Sequence, residues 1–385
     1  MSNQATITRR ETLLAVTTLA AATALFAMSA TAQAQKPGTI EAFLADYPRQ
    51  ITNDHLHQRL KDDASKVNTW FFEQGRLVRA GEDFLVAMNN DTFYKMGYAD
   101  NRVSPVVVRV QNPKKDRFVS IQINDQRDFN VAAIMDADGP YVLVKENQTP
   151  PIGARPVRVT DDFNLVMIRV EVRSEADAPA ALAVYNTAAI EGRSGGPLPK
   201  LDLLSKYRPE VRARALEMME QWVRSLSHTD WLFGRPEERG IRVSDLDRAA
   251  GTLHNEGGPV REHSMYSSVY TDASGQTMKG ANGTYVLTMA APPVDAFWSV
   301  TVYRVTDRGG YFYPNPLNRY SINNTGAVPS ADSTYTFTFK LECAESDRNC
   351  IPVPPGPWGL AGRFYRPRAE VLEHKWEMPK PALQK

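Results

Sequence analysis

Hydrophobic residues follow two different periods along the chain, and the change of period predicts where helices give way to strands. Between residues 40 and 78 the apolar positions form helical stripes, one through Phe43, Leu44 and Tyr47 and a later one through 70–72 and Leu77. From Val103 onward, short β-branched runs separated by turn residues follow one another at 106–110, 118–123, 141–144, 157–159 and 165–170. Runs of this length and spacing are typical of a β-sandwich.

A second helical section and a second strand series follow. The strongest helical pattern covers 209–226, where Pro209 suits the first turn and an apolar stripe passes through Trp222. The stretch 192–197 has no periodicity and is rich in glycine, which indicates a linker. Further strands are predicted at 267–270, 285–289, 297–305, 335–341 and 360–365. The pattern therefore predicts a mainly β chain with a helical unit in its middle.

The N-terminal 34 residues differ in kind from the rest of the chain. Arg9, Arg10 and Glu11 are their only charged residues, and an apolar stretch begins at Thr12. The run Thr-Arg-Arg-Glu-Thr-Leu-Leu at 8–14 resembles the consensus of twin-arginine export signals. This layout predicts a signal peptide of the twin-arginine type.

Ala32 and Ala34 form the small-x-small site that a signal peptidase needs. We therefore expect cleavage after Ala34 and a mature protein in the periplasm or secreted, without stable membrane insertion. The alternative is an uncleaved N-terminal anchor, because residues 12–35 carry no charge and could just span a bilayer.

These features predict four parts along the chain. The signal peptide covers 1–34, and an N-terminal domain at 35–190 has a helical lead-in before its sandwich. A linker and small helical unit cover 191–255, and a C-terminal sandwich covers 256–385.

Charge and cysteine content narrow the choice of partners and compartment. The chain has 45 Lys and Arg against 44 Asp and Glu, and loss of residues 1–34 leaves the two signs balanced. This balance gives no reason to expect nucleic acid or an anionic membrane as a partner. Cys343 and Cys350 are the only cysteines. In an oxidising periplasm we expect them to form a disulfide that closes a hairpin and contributes about 2 kcal/mol.

Several motifs resemble a known pair of bacterial domain families of unknown function. The run Asn-Asn-Asp-Thr-Phe-Tyr at 89–94 resembles the Asn-Arg-Asp-Thr-x-Tyr signature of family 1254. The Phe-Trp-Ser motif at 297–299 and the run Pro-Asn-Pro-Leu-Asn-Arg-Tyr at 314–320 resemble family 1214. The resemblance implies an immunoglobulin-like sandwich, a small helical domain and a jelly-roll-like C-terminal sandwich. It implies no activity, and Asn90 departs from the usual arginine of the first signature.

The first motif supplies a candidate acid. Asp91 lies in a polar segment, and its neighbours Asn90, Thr92 and Tyr94 add hydrogen-bonding groups that a simple turn does not require. We therefore expect these four residues to contact a ligand, with Asp91 the best candidate for acid catalysis. The alternative is ordinary turn chemistry, because aspartate accepts backbone hydrogen bonds in turns.

The second motif is rich in aromatic, amide and guanidinium groups. Such groups suit sugars and other flat polar ligands, which stack on rings and accept forked hydrogen bonds. The alternative is a tyrosine-rich core with a structural corner in which asparagine and arginine bind backbone carbonyls. The candidate ligand-binding residues of this motif are Tyr303, Arg304, Asn315, Asn318, Arg319 and Tyr320.

Other kinds of site have little support in the sequence. The chain has no Gly-x-Ser-x-Gly nucleophile elbow, since its match to that spacing at 192–196 lies in the predicted linker. It also has no dinucleotide-binding glycine pattern, so no cofactor is predicted. His55 and His57 are expected to be exposed surface residues, and the remaining histidines are scattered. No metal site is therefore predicted.

These observations favour an exported protein that binds or processes a small polar ligand, such as a carbohydrate, at the junction of its two domains. In this hypothesis the helical unit could close over the junction. One alternative is a hydrolase or lyase that needs no cofactor. Another is a non-catalytic envelope or assembly module, which would form a homo-oligomer or bind a partner.

Overall fold

The computed structural model describes residues 38–82, 87–307 and 309–384. The predicted signal peptide and its cleavage site lie outside these residues. The described helices are α1 (Ile40–Leu60), α2 (Ala178–Tyr185), α3 (Pro209–Ser225), α4 (Asp245–Asn255) and α5 (Ala369–Leu372). None of them combines the length and the apolar character that crossing a bilayer would require.

Nine strands form the first β-sandwich. Its inner sheet has the order β1-β2-β8-β4-β5, and its outer sheet has the order β7-β6-β3-β9. The strands are β1 (Trp70–Gln74), β2 (Thr92–Asp100), β3 (Val106–Val110), β4 (Val119–Asn124), β5 (Asn130–Met135), β6 (Gly139–Val144), β7 (Arg155–Arg158), β8 (Phe163–Glu171) and β9 (Ala189–Glu191).

A second β-sandwich follows the helical section. Its inner sheet has the order β10-β17-β12-β13, with β14 paired to β12, and its outer sheet has the order β16-β15-β11-β18. The strands are β10 (Ser264–Val269), β11 (Tyr285–Ala290), β12 (Trp298–Thr306), β13 (Gly309–Tyr311), β14 (Ser321–Asn323), β15 (Thr334–Lys340), β16 (Cys350–Pro352), β17 (Trp358–Tyr365) and β18 (Ala382–Leu383). The predicted mainly β fold with a helical unit is therefore confirmed.

The inner sheets of the two sandwiches face each other. Every residue of β4, β8 and β17 is buried, although neighbouring side chains of a strand point to opposite faces. On β8, Val166, Ile168 and Val170 enter the core of the first sandwich. Arg169 lies on the opposite face and is also buried. These central strands of the inner sheets are therefore covered on both sides, whereas the edge strands β1, β5, β10 and β13 are only partly buried.

Three helices from distant parts of the chain pack into one layer. Residues Phe43 and Tyr47 of α1 share an apolar cluster with Val211 of α3 and Ala249 of α4. Helix α1 begins at an N-cap in which Thr39 accepts a hydrogen bond from the Ala42 amide, with an N···O distance of 3.2 Å. Helix α1 thus packs with helices that follow the first sandwich in the chain.

A buried ion pair joins this helical layer to the first sandwich. Arg248 of α4 donates to Asp128, in the turn between β4 and β5, at 2.9 Å, and both side chains are almost fully buried. The same carboxylate accepts hydrogen bonds from the Thr252 hydroxyl at 3.1 Å and the Gly257 amide at 2.9 Å. Desolvation is thus offset by several donors on one acid.

Two local predictions were wrong. Residues 70–74 form strand β1 and not a helix, because Trp70 and Phe72 pair with Gly97 and Met96 of β2. Cys343 and Cys350 do form the predicted disulfide, but it closes no hairpin. The strands on either side of that loop, β15 and β16, pair in parallel, so the loop carries the chain back along β15.

Replacement of Arg248 by methionine should lower the free energy of unfolding by roughly 3–5 kcal/mol, because it leaves the buried Asp128 carboxylate without its cation. Urea unfolding followed by circular dichroism measures this. The control is Arg224→Met, whose exposed pair with Glu220 should contribute at most about 1 kcal/mol. Equal effects of the two substitutions would contradict the assigned role of the buried pair.

Candidate functional site

Polar side chains cover the two inner sheet faces where the sandwiches meet. Arg169 on β8 donates to Gln122 on β4 at 2.7 Å. Across the interface, His263 Nε2 lies 2.8 Å from the Ser120 hydroxyl oxygen. Burial, with Arg169 nearby, holds the pKa of His263 well below its usual value, so its imidazole is neutral at pH 7.

Asp91 lies directly before β2 and binds the second sandwich. Its carboxylate accepts hydrogen bonds from the hydroxyls of Ser299 at 2.5 Å and Ser321 at 3.2 Å. The side chain is buried, and this burial raises the pKa of Asp91 despite the nearby Arg363 and the two serines. The predicted candidate acid is therefore a link between the two sandwiches.

Arg363 on β17 completes this link from the other side. Its guanidinium donates to the Thr301 hydroxyl at 2.8 Å and the Tyr303 hydroxyl at 2.5 Å, both within the second sandwich. It also donates to the backbone carbonyl of Ala87 at 2.9 Å, which belongs to the segment before β2. A buried cation thus satisfies acceptors from both halves of the molecule.

The other residues of the first motif have mainly structural contacts. Asn90 exchanges two hydrogen bonds of 2.7 Å with the backbone of Val78. Tyr94 accepts a hydrogen bond of 3.0 Å from Asn89, which also donates to the Tyr365 hydroxyl at 2.5 Å. Thr92 is buried, and its hydroxyl has no hydrogen-bond partner in the described part of the chain.

An open cavity of about 310 Å³ lies at the junction of the two sandwiches. Four arginines but only two carboxylates line it, so its wall carries an excess of positive charge. The first sandwich contributes residues 77–79, 90–91 and 172–175, and the second contributes 317–323, Gly326 and Arg348. The charged lining residues are Arg79, Arg173, Arg319, Arg348, Asp91 and Glu175.

Five of the predicted ligand-binding residues line this cavity and five do not. The lining residues are Asn90, Asp91, Asn318, Arg319 and Tyr320. Those outside the lining are Thr92, Tyr94, Tyr303, Arg304 and Asn315. No residue of the predicted helical unit at 191–255 lines the cavity, so the described structure gives that unit no part in covering it.

Arg319 holds the disulfide loop beside the cavity. Its guanidinium donates to the backbone carbonyls of Asp347 at 2.6 Å, Cys350 at 3.2 Å and Glu345 at 3.2 Å. The loop then presents Arg348 to the cavity. Arg319 therefore has the structural role that the alternative interpretation of its motif predicts.

Asn315 also fits that alternative interpretation, because it fixes the same corner. Its amide nitrogen donates to the carbonyls of Tyr313 at 3.1 Å and Arg319 at 3.3 Å. Its carbonyl oxygen accepts from the Arg319 amide at 3.1 Å. Asn318 accepts a hydrogen bond of 3.0 Å from the Tyr320 hydroxyl.

The tyrosines of the second motif pack against protein. Phe312 lies between Tyr303 and Tyr320, with ring centroids 5.5 Å and 4.7 Å away, and all three rings are buried. Val78 and Met88 of the first sandwich share this cluster. These ring faces are occupied by neighbouring side chains, so the aromatic content builds the domain junction and offers no stacking platform. Arg304 is exposed at the end of β12.

Sequence reasoning did not identify Ser299, Ser321 or Arg363 as site residues. Ser299 belongs to the Phe-Trp-Ser motif, and Arg363 opens the run Arg-Phe-Tyr-Arg at 363–366. A signal for Ser299 and Arg363 was present in the sequence, because each is a polar residue within a mostly apolar run. Such a pattern indicates a strand that is buried on both faces, with its polar residues on the face that meets the other sandwich. His55 and His57 were expected to be exposed, but they are half-buried and pair with Glu256 at 2.8 Å and Asp62 at 2.7 Å.

Replacement of Asp91 by alanine should lower the free energy of unfolding by roughly 2–4 kcal/mol, because the Ser299 and Ser321 hydroxyls lose their acceptor and the buried Arg363 guanidinium loses a nearby opposite charge. Asp91→Asn should cost less, since its amide oxygen still accepts one hydroxyl. Urea unfolding at pH 7 measures both. The control Glu175→Gln changes another lining carboxylate that is mostly exposed and should have little effect. An alanine variant as stable as this control would refute the linking role.

Comparison with known proteins identifies the two domains. Residues 71–192 match the model of a protein of unknown function, DUF1254, and residues 263–369 match that of a second, DUF1214. No curated protein matches the chain.

Comparison with solved structures gives two matches over most of the chain. The VPA0106 protein from Vibrio parahaemolyticus superposes with a TM-score of 0.76 at 20% sequence identity, over 90% of this chain and 98% of that one. A putative uncharacterized protein from Burkholderia cenocepacia gives a TM-score of 0.46 at 14% identity, over 88% and 87% of the two chains. Both family matches follow the order that the motifs at 89–94 and 297–320 predict. The chain therefore belongs to the proteins that join an N-terminal DUF1254 domain to a C-terminal DUF1214 domain.

Proposed function

We propose that this chain is an exported periplasmic protein that binds a small anionic ligand in the cavity between its two sandwiches. The observation that carries this proposal is the charge of the cavity wall, where four arginines meet two carboxylates. Arginine binds carboxylate and phosphate groups through forked hydrogen bonds. Sugar acids, other small carboxylates and phosphate esters are therefore the ligands that fit best.

The contacts of the four arginines differ, and this decides which of them can bind a ligand. Arg79 pairs with Glu175 at 3.1 Å, and Arg173 pairs with Glu171 at 3.3 Å. Arg319 donates its side-chain hydrogen bonds to backbone carbonyls, and the Asp347 carboxylate on which its charge also acts is already paired with Lys340 at 3.0 Å. Arg348 is exposed on the disulfide loop. Arg319 and Arg348 are therefore the principal source of the positive potential.

The dimensions of the cavity support a small ligand. Its volume of about 310 Å³ lies at the lower end of the range for small-molecule pockets. Its walls belong to two sandwiches that are linked by buried hydrogen bonds, so the site exists before a ligand arrives. A preformed site loses little conformational entropy on binding.

The export part of the proposal rests on the composition of residues 1–34 and on the disulfide. Arg9 and Arg10 precede an uncharged apolar stretch, and Ala32 and Ala34 suit a signal peptidase. The Cys343–Cys350 disulfide is compatible with an oxidising compartment such as the periplasm.

A cofactor-independent hydrolase or lyase is the second candidate function. Asp91 lines the cavity, and burial raises the pKa of its carboxyl group. A carboxyl group with a raised pKa suits a general acid. Turnover of a bound ligand, abolished in Asp91→Asn while binding persists, would establish this function in place of simple binding.

Replacement of Arg348 by glutamate should weaken binding of the best ligand about ten- to hundredfold, because it removes a charged hydrogen-bond donor from the cavity wall. Calorimetric titration with a panel of sugar acids, dicarboxylates and inorganic phosphate at low salt measures this. The matched control is Arg304→Glu, since Arg304 is also exposed but does not line the cavity. If no anion binds, or if both variants bind alike, the cavity is not the binding site and the assembly-module hypothesis gains weight.

Protein exported with its own N-terminus should begin at Gln35 and be two hydrogens lighter than its reduced form. Intact-mass measurement on a periplasmic extract, before and after reduction, tests both features. Substitution of Arg9 and Arg10 by lysine should abolish export, because the paired arginines define the signal. A mature chain that keeps residues 1–34, or export that is unchanged in this variant, would contradict the proposed route.

A further inference from the structure

Two distant segments of the chain meet at the edge of the second sandwich. His228 lies in the loop after α3, whereas His374 and Glu377 lie in the C-terminal segment after α5. One potential ligand atom from each residue lies within 4.8 Å of the other two. The imidazole rings of His228 and His374 stack with their centroids 3.6 Å apart, and Glu377 Oε1 is 3.7 Å from His228 Nε2.

The surroundings of His374 resemble the outer shell of a metal site. Its Nε2 atom lies 3.5 Å from a carboxylate oxygen of Asp230 and is buried without a hydrogen-bond partner among the described residues. Asp230 in turn forms an ion pair with Arg261, at 3.3 Å. Carboxylates that orient the second nitrogen of a metal-bound histidine are a common feature of such sites.

The cluster opens onto a cleft that is separate from the interdomain cavity. This cleft has a volume of about 520 Å³, and it shares no lining residue with the interdomain cavity. It runs along β10, which is the edge strand of its sheet. Its lining mixes the apolar side chains of Met265, Val269, Phe364, Trp376 and Met378 with polar residues such as Ser268 and Lys380.

We propose that His228, His374 and Glu377 bind a divalent transition-metal ion, with zinc the best match for two imidazoles and one carboxylate. Zinc bonds to such ligands measure about 2.0–2.2 Å, which places ligand atoms roughly 3.4 Å apart around a tetrahedral ion. The separation of 3.7 Å between His228 and Glu377 is close to this value. Three protein ligands leave one tetrahedral position for water or a ligand in the cleft.

One ring must turn for this coordination to form. The two imidazoles are inclined by only 24°, so their in-plane lone pairs do not converge on one point. His228 lies on a loop and its side chain is 35% exposed, so it has room to turn, and metal coordination would replace its stacking on His374. The side chain of His374 is less exposed, at 20%, and it provides the fixed part of the site.

The test is titration of the purified full-length protein, after treatment with a chelator, with Zn²⁺ by calorimetry and with Co²⁺ by visible absorption. We expect one ion per chain and a tetrahedral cobalt spectrum. His228→Ala and His374→Ala should each weaken Zn²⁺ binding at least about tenfold, because each removes one of three protein ligands. The control is His254→Ala, since His254 is also paired with a glutamate, Glu220 at 3.5 Å, but belongs to no such cluster among the described residues.

A second measurement needs no variant and so avoids any effect on folding. Histidine-selective acylation followed by peptide mass spectrometry should show that Zn²⁺ protects His228 and His374 in the wild-type protein but leaves His254 reactive. Equal reactivity of His228 and His374 with and without Zn²⁺ would overturn the proposal. So would a double variant, His228→Ala with His374→Ala, that binds Zn²⁺ as tightly as the wild type.

Discussion

The guanidinium of Arg363 is a buried cation that no single sandwich can satisfy. It lies on the face of β17 that points away from the core of its own sandwich, and there it meets the Ala87 carbonyl of the other sandwich. Nearby, Asp91 of the first sandwich accepts hydrogen bonds from the hydroxyls of Ser299 and Ser321, which belong to the second sandwich. Separating the sandwiches would leave charged groups without partners or require their full hydration, so the polar interface fixes how the two halves lie against each other.

The interdomain cavity depends on this fixed arrangement. Its two walls come from different sandwiches, and Asp91 both lines the cavity and links the sandwiches. The arginine-rich wall also depends on the loop that Arg319 and the disulfide hold in place. In the proposed function, a ligand would therefore meet a formed site with its charges already positioned. The helical layer stabilises the far side of the first sandwich through Arg248 and contributes no residue to the cavity wall.

Most strands could be predicted from the sequence because short runs of β-branched residues between turn residues favour strands over helices. The run at 106–110 coincides with β3. Residues 70–72 were predicted to be helical but form a strand. Three consecutive aromatic residues fit either structure, and only the pairing with β2 decides between them. Both motif clusters lead to the interdomain cavity, because each marks a turn at the domain junction. The sequence could not show that His228 and His374 are neighbours, because only the path of the C-terminal segment in the fold brings them together.

The position of Asn90 shows how the cavity can be cationic although the first motif lacks the arginine that is usual in its family. Asn90 lines the cavity, and its side-chain amide forms hydrogen bonds with both the N–H and the carbonyl of Val78. These two bonds fix the neighbouring wall. The positive charge comes instead from other segments, chiefly Arg319 and Arg348. An arginine at position 90 would have added a further cation to the same wall but could not have made this compact amide pair. Asn90 therefore contributes rigidity and no charge at the entrance of β2, and the positive charge of the cavity wall comes from arginines elsewhere in the chain.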